Sequence, residues 1–132
     1  MKELFQHTAI TDGLTVRVAV NFLPEQSRIK AGKWFWVYHI RIENETGETL
    51  QLMTRHWRIT DARGNVEVIE GEGVVGEQPV IVHGRSHDYV SGCPLSTPQG
   101  SMEGHYTFAR ADGREFTALI PFFPLAAPAT AG

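Results

Sequence analysis

Gly71, Gly73 and Gly76 stand in a G-x-G-x-x-G spacing. In a dinucleotide-binding unit that spacing turns a strand into a helix, and the first N–H groups of the helix hold a pyrophosphate. The residues before it suit such a turn, because Val66, Val68 and Glu70 alternate like a strand. The residues after it do not. Pro79 and then Val80-Ile81-Val82 read as extended chain, which removes the helix dipole an anion would use. No Lys or Arg falls between Arg63 and Arg85, whereas Glu67, Glu70, Glu72 and Glu77 do, so a bare polyphosphate meets repulsion. The glycines therefore read as a tight loop between strands that needs positive φ. Contact with a ligand or partner is a second reading of the same loop. Phosphate binding is a third, with Mg²⁺ or Co²⁺ bridging the glutamates to the phosphate.

Other chemically capable residues do not assemble into a known set. His83 and His87 are four apart. In extended chain that spacing spans roughly 13 Å, so both cannot reach one ion at about 2 Å. Either could act singly, with His56 or His105 from other strands. Cys93 is the one cysteine, which rules out an intrachain disulfide and a thiolate metal cage. Its neighbours Gly92 and Pro94 supply no base to activate it. Neither a His-Glu-x-x-His pair nor a Gly-x-Ser-x-Gly elbow occurs. The acid pair Glu70 and Glu72 selects no reaction by itself.

The elements that would position these residues are strands. Leu14, Val16, Val18, Val20 and Phe22 alternate with polar residues, and Trp34, Trp36, Tyr38, Ile40 and Ile42 form a second alternating row, each the pattern of a half-buried strand. Phe35 and Val37 then face outward or into a second layer, and as an exposed pair beside Arg41 they would make a modest patch for a partner. In a third strand, Thr49 to Thr60, the apolar residues switch from Leu50 and Leu52 to Met53, Trp57 and Ile59, which predicts a β-bulge. Asp61-Ala62-Arg63-Gly64 turns into a strand over Asn65 to Glu70. Short strands follow near Val80–Val82 and Ser86–Ser91, with a long loop over Gly92 to Gly100. Met102, Gly104, Tyr106 and Phe108 lead into an Asp112-Gly113 hairpin, and Phe116, Ala118, Ile120 and Phe122 lead out. The segment Pro121-Phe122-Phe123-Pro124-Leu125 either covers a sheet edge or presents apolar side chains to another chain. No helical stripe is visible. Seven or eight short strands predict an all-β antiparallel sandwich, with a small closed barrel as the competing architecture.

Composition fits one domain. The chain has 132 residues, 42% hydrophobic and 20% charged, with a formal charge of −3. A coat for nucleic acid carries a basic excess, so no nucleic-acid partner is expected. No stretch approaches the roughly 20 apolar residues of a membrane span, and the amino terminus lacks a run of signal-peptide length. A cytoplasmic domain is expected, with oligomeric state open.

Three stretches together resemble the ApaG family. They are Arg55-His56-Trp57-Arg58-Ile59-Thr60-Asp61 with Gly71 to Pro79; Ser91-Gly92-Cys93-Pro94-Leu95 with Thr97 to Tyr106; and Ile120-Pro121-Phe122-Phe123-Pro124-Leu125. Order and spacing are kept over about residues 12 to 128. The resemblance implies a fibronectin type III-like, immunoglobulin-type sandwich and a bacterial stand-alone form. Eukaryotic relatives carry this domain inside larger proteins, an F-box protein and a DNA-polymerase-interacting protein, where it looks like a protein-interaction module. The bacterial genes are often linked to a diadenosine-tetraphosphate hydrolase and to cobalt and magnesium tolerance. The resemblance supplies no catalytic residues, and the family's proposed pyrophosphate loop maps onto Gly71, Gly73 and Gly76.

Residues and resemblance together predict a single domain that binds a protein partner and is not an enzyme. Its contact surface is Gly71, Glu72, Gly73, Gly76 and Pro79 with Arg55, His56 and Trp57, and it needs no cofactor. Binding of a nucleotide or dinucleoside polyphosphate at the glycine loop is the alternative.

Overall fold

The computed structural model describes residues 4–128. Among these described residues, nine strands form two antiparallel sheets packed face to face. The elements are β1 (His7–Thr11), β2 (Leu14–Phe22), β3 (Trp34–Asn44), β4 (Leu50–Asp61), β5 (Val66–Glu72), β6 (Val80–Ile81), β7 (Ser86–Leu95), β8 (Gln99–Arg110) and β9 (Glu115–Ala126). The first sheet runs β1-β2-β3-β7. The second runs β5-β4-β8-β9, with β6 also paired to β4. Among the described residues there is no α-helix, only single 3₁₀ turns at Pro24–Gln26 and Ile29–Ala31. The chain is thus the expected sandwich.

Alternation places the core. Leu14, Val16 and Val18 from β2 and Trp36, Tyr38, Ile40 and Ile42 from β3 point inward. They meet Leu50, Leu52 and Trp57 from β4, Tyr106 and Phe108 from β8, and Phe116, Ala118 and Phe123 from β9. Phe123 joins the layers through ring contacts with Tyr38 and Trp57, both at 6.0 Å.

Three expectations need correction. β1 is a strand that the sequence pattern did not reveal. Its Ile10 faces outward, and the strand owes its place to pairing with β2 and packing on β9. The loop expected over Gly92 to Gly100 is strand at both ends, and only Ser96–Pro98 connects β7 to β8. Pro94 is tolerated because β7 is an edge strand, where a missing N–H breaks no ladder. Phe122 is exposed, not inward. A register shift between Met102 and Gly104 opposes two residues to one, so the inward phase passes from Ile120 to Phe123. The apolar segment around it continues β9 along β8. Phe35 and Val37 lie on the face opposite Trp36 and Tyr38, as the alternation predicts, and are half-buried there. The Phe35 ring lies over Gly92, where a Cβ would push it aside, and Arg41 is paired with Asp88 at 2.9 Å and stacked over Phe5.

The bulge expected in β4 is present between Leu52 and Thr54, and it organises the glycine-rich segment. β5 pairs with β4 from Thr54 onward, and β6 pairs with Leu50 and Gln51. The two strands lie end to end along one edge of β4, interrupted by the excursion Gly73–Pro79. The bulged Met53 anchors that excursion. Its carbonyl accepts from the Gly73 N–H and the Gln78 Nε2, each at 2.9 Å.

The candidate site: a cleft at the open edge of the sandwich

The two long sides of the sandwich differ. On one, β1 packs on β9 and closes the sheets. The Leu119 N–H donates to Thr11 Oγ1 at 3.1 Å, and Trp36 Nε1 to the Ala126 carbonyl at 3.3 Å. On the other side, β5 and β7 are the outermost strands and flank a cleft of about 790 Å³. That volume lies in the range of small-ligand and peptide pockets.

Cross-strand rows set the chemistry of the cleft along the second sheet. Gly71, Arg55 and Tyr106 form one row, Ile69, Trp57 and Gly104 the next, and Glu67, Ile59 and Met102 the third. Successive rows lie two residues apart on one face. Gly71 has a particular role here. A Cβ at this position would lie 2.9 Å from both Arg55 Nη atoms. The Arg55 guanidinium therefore occupies the space that a side chain at 71 would fill. Its Nη1 donates to the Glu72 and Gly73 carbonyls at 3.0 and 2.9 Å. Arg55 makes no ion pair among the described residues, and it also borders a shallow hollow on the outer face of the sheet.

The wall from the first sheet carries Tyr89, Ser91, Cys93 and Leu95, with Tyr38 at the floor. The Tyr89 and Tyr106 hydroxyls hydrogen-bond across the two sheets. Burial pushes the phenols of Tyr38, Tyr89 and Tyr106 up, with Arg55 acting weakly the other way. Burial also pushes the Cys93 thiol up to about 12, helped by the Glu67 carboxylate. At neutral pH these groups hold their protons, so Cys93 is a poor nucleophile. Asp61 is committed to its own turn. Its carboxylate accepts from the backbone N–H groups of Arg63 and Asn65 and from Asn65 Nδ2.

The glycine excursion forms one lip of the cleft. Val74 and Glu77 exchange both backbone hydrogen bonds, at 2.8 and 3.0 Å. The turn between them holds Val75 at φ 48° and Gly76 at φ 78°, the left-handed pair a primed hairpin turn needs. Gly73 is at φ 64°, and a Cβ there would run into the Glu77 carbonyl. All three glycines thus have conformational or packing roles. The N–H groups of Gly73, Val74 and Glu77, which a phosphate cradle would need, are bonded within the fold. Extended chain follows Gly76, as the sequence predicts.

The structure brings together most of the residues singled out from sequence, but divides them. Arg55 and Trp57 face the cleft with Glu72 and Gly76. His56 points to the opposite face, where its ring stacks on His105 at 4.7 Å and its Nδ1 lies 2.8 Å from Glu70 Oε1. His83 Nδ1 accepts from the Gly47 N–H, and His87 stands 3.9 Å from Glu77. Among the described residues no three His, Cys, Asp or Glu side chains are arranged to hold a metal ion, and no helix is long and apolar enough to cross a membrane. Sequence reasoning missed Tyr38, Tyr89, Ser91, Val90 and Glu67 as cleft residues. The alternation of Tyr89, Ser91 and Cys93 was the available signal, but placing it opposite Glu67 and Arg55 requires the sheet order.

Fold and cleft define a class, the antiparallel β-sandwich domain open along one edge. Comparison with known proteins gives the family. A family model described as the ApaG domain matches residues 24–110. The Protein ApaG of Bradyrhizobium sp. (strain ORS 278) is 47% identical over 122 residues, covering 92% of this chain and 94% of the relative. That of Rhodospirillum centenum is 46% identical with the same coverage. A crystal structure of a Bordetella pertussis protein assigned as ApaA superimposes with a TM-score of 0.84 at 40% identity, over 88% of this chain and 94% of that one. The chain belongs to the ApaG family.

Proposed function

We propose that the chain is a protein-interaction domain without catalytic activity, receiving its partner in the open-edge cleft. Its contact surface is the Gly73–Pro79 excursion with Arg55, Trp57 and the edge strand β7. The observation that carries this reading is Val75. A β-branched residue at φ 48° is strained, and its side chain is 64% exposed at the lip of the cleft. Strain held at a solvent-facing apolar position is the kind of local cost that persists at contact sites. Val66 and Val90 extend the same exposed rim.

A polyphosphate is less well served, because the N–H groups of Gly73, Val74 and Glu77 are engaged and Glu72 and Glu77 flank it. The protein-binding reading requires no Mg²⁺ or Co²⁺. Replacement of Val75 by a photo-crosslinking amino acid in native cells tests it, with the same replacement at Leu119 on the closed side as control. A discrete protein adduct from position 75 and none from 119 is expected. No adduct at 75, or equal adducts at both, overturns the reading.

A further inference from the structure

The three rows of the cleft differ in charge in a way that specifies a ligand. At one end stands Arg55, half-buried and without an acidic partner among the described residues, its Nε and Nη2 making no hydrogen bond among them. In the middle Ile69 and Trp57 make an apolar step. At the other end Glu67 makes no hydrogen bond or ion pair among the described residues, and the nearby Asp61 carboxylate is held by its turn. From Gly71, which seats the Arg55 guanidinium, to Glu67 is four residues of strand, roughly 13 Å. A ligand complementary to this face carries an anion and a cation that far apart with an apolar group between them. An extended peptide meets that condition directly, because side chains at i, i+2 and i+4 share one face at the same rise. The outermost strands β5 and β7 also offer unpaired backbone edges beside the rows, which an added strand can use.

We propose that the cleft recognises an extended segment of a partner protein with the pattern acidic, any, apolar, any, basic, in either chain direction. The acidic side chain meets Arg55, the apolar one packs on Ile69 with the buried Trp57 beneath it, and the basic one meets Glu67. This rests on the protein-interaction reading above and adds the chemistry of the partner.

The test is selection from a random seven-residue peptide library displayed on phage, panned against the intact chain and against Glu67→Lys. Glu67 is exposed, and its side chain anchors nothing in the fold, so the variant keeps its structure. For the wild type, the charged and apolar positions should be enriched at spacings of two and four. A synthetic selected peptide should lose about tenfold or more in affinity for Glu67→Lys by fluorescence polarisation. Panning on that variant should replace the basic position by an acidic one and leave the other two unchanged. Selected peptides without this spacing, an identical consensus from both proteins, or no enrichment at all overturn the inference. Displacement of the peptide by free glutamate at equal concentration does so too, because it assigns the site to a small anion. If crosslinks form through position 75 while the charge pattern fails, only this inference falls. If position 75 gives no adduct, the protein-interaction reading falls with it.

Discussion

The closed and open sides of this sandwich are built from similar strands and behave as opposites. On the closed side, β1 and β9 bring the sheets into contact, hydrogen bonds cross between them, and Phe123 fills the space beneath. On the open side, β5 and β7 stand apart, the polar tie across the floor is the Tyr89–Tyr106 pair, and exposed valines line the rim. One side satisfies its apolar surface internally. The other leaves apolar surface in reach of solvent together with a guanidinium that has no acidic partner among the described residues, and such an exposed apolar rim around polar groups supports the contact site proposed above.

The comparison can be broken most forcefully from the closed side. Phe123→Ala empties a fully buried ring site and should cost about 3–5 kcal/mol, read as a shift in urea denaturation of the whole domain. The next effect is alkaline. The Cys93 thiol is raised from 9.0 to about 12, so the unfolded chain releases its proton first. Stability from this group is present below pH 9 and falls as pH rises toward 12, by up to about 4 kcal/mol, with the buried tyrosines acting in the same direction. Equilibrium denaturation between pH 8 and 11 checks this. At pH 8, alkylation of native Cys93 should run about a thousandfold slower than in urea.

Gly73→Ala is a smaller perturbation confined to the open side. It should cost about 2 kcal/mol from the left-handed backbone and the Glu77 contact. Amide exchange at Val74 and Glu77 should quicken while that of β2 and β3 stays slow. The smallest effect has the opposite sign. Val75→Asn relieves a strained β-branched residue and should stabilise the domain by up to about 1 kcal/mol, while weakening adduct formation from neighbouring rim positions. A stabilised variant that binds its partner as well as the wild type would remove the strain argument for the contact site.

Much of this contrast could be read from the residues. Strict alternation in Leu14–Phe22 and Trp34–Asn44 placed two core strands, because period-two patterning reports local burial directly. The switch after Leu52 revealed the β4 bulge for the same reason. β1 was hidden, because an edge strand with outward Ile10 carries little apolar signal. The phase change at Phe122 was hidden as well, because it arises from register against Met102 and Gly104 in another strand. In the site, Arg55, Trp57 and the glycines were identifiable from one stretch of chain. Their opposite wall was not, since nothing local says that Tyr89 and Cys93 face Glu67. That the N–H groups of Gly73, Val74 and Glu77 are bonded within the fold could not be read from the acidic loop sequence.

The interruption between β5 and β6 has a further consequence. The chain leaves the edge of β4 at Gly73 and returns at Pro79, pinned on both flanks to Met53 and Leu52. Residues added or exchanged at the apex, between Val75 and Gly76, leave the ladders on either side in register. Exposed apices of this kind tolerate insertion well, so this position lets one scaffold accept new tips, and with them new specificities, without refolding its core.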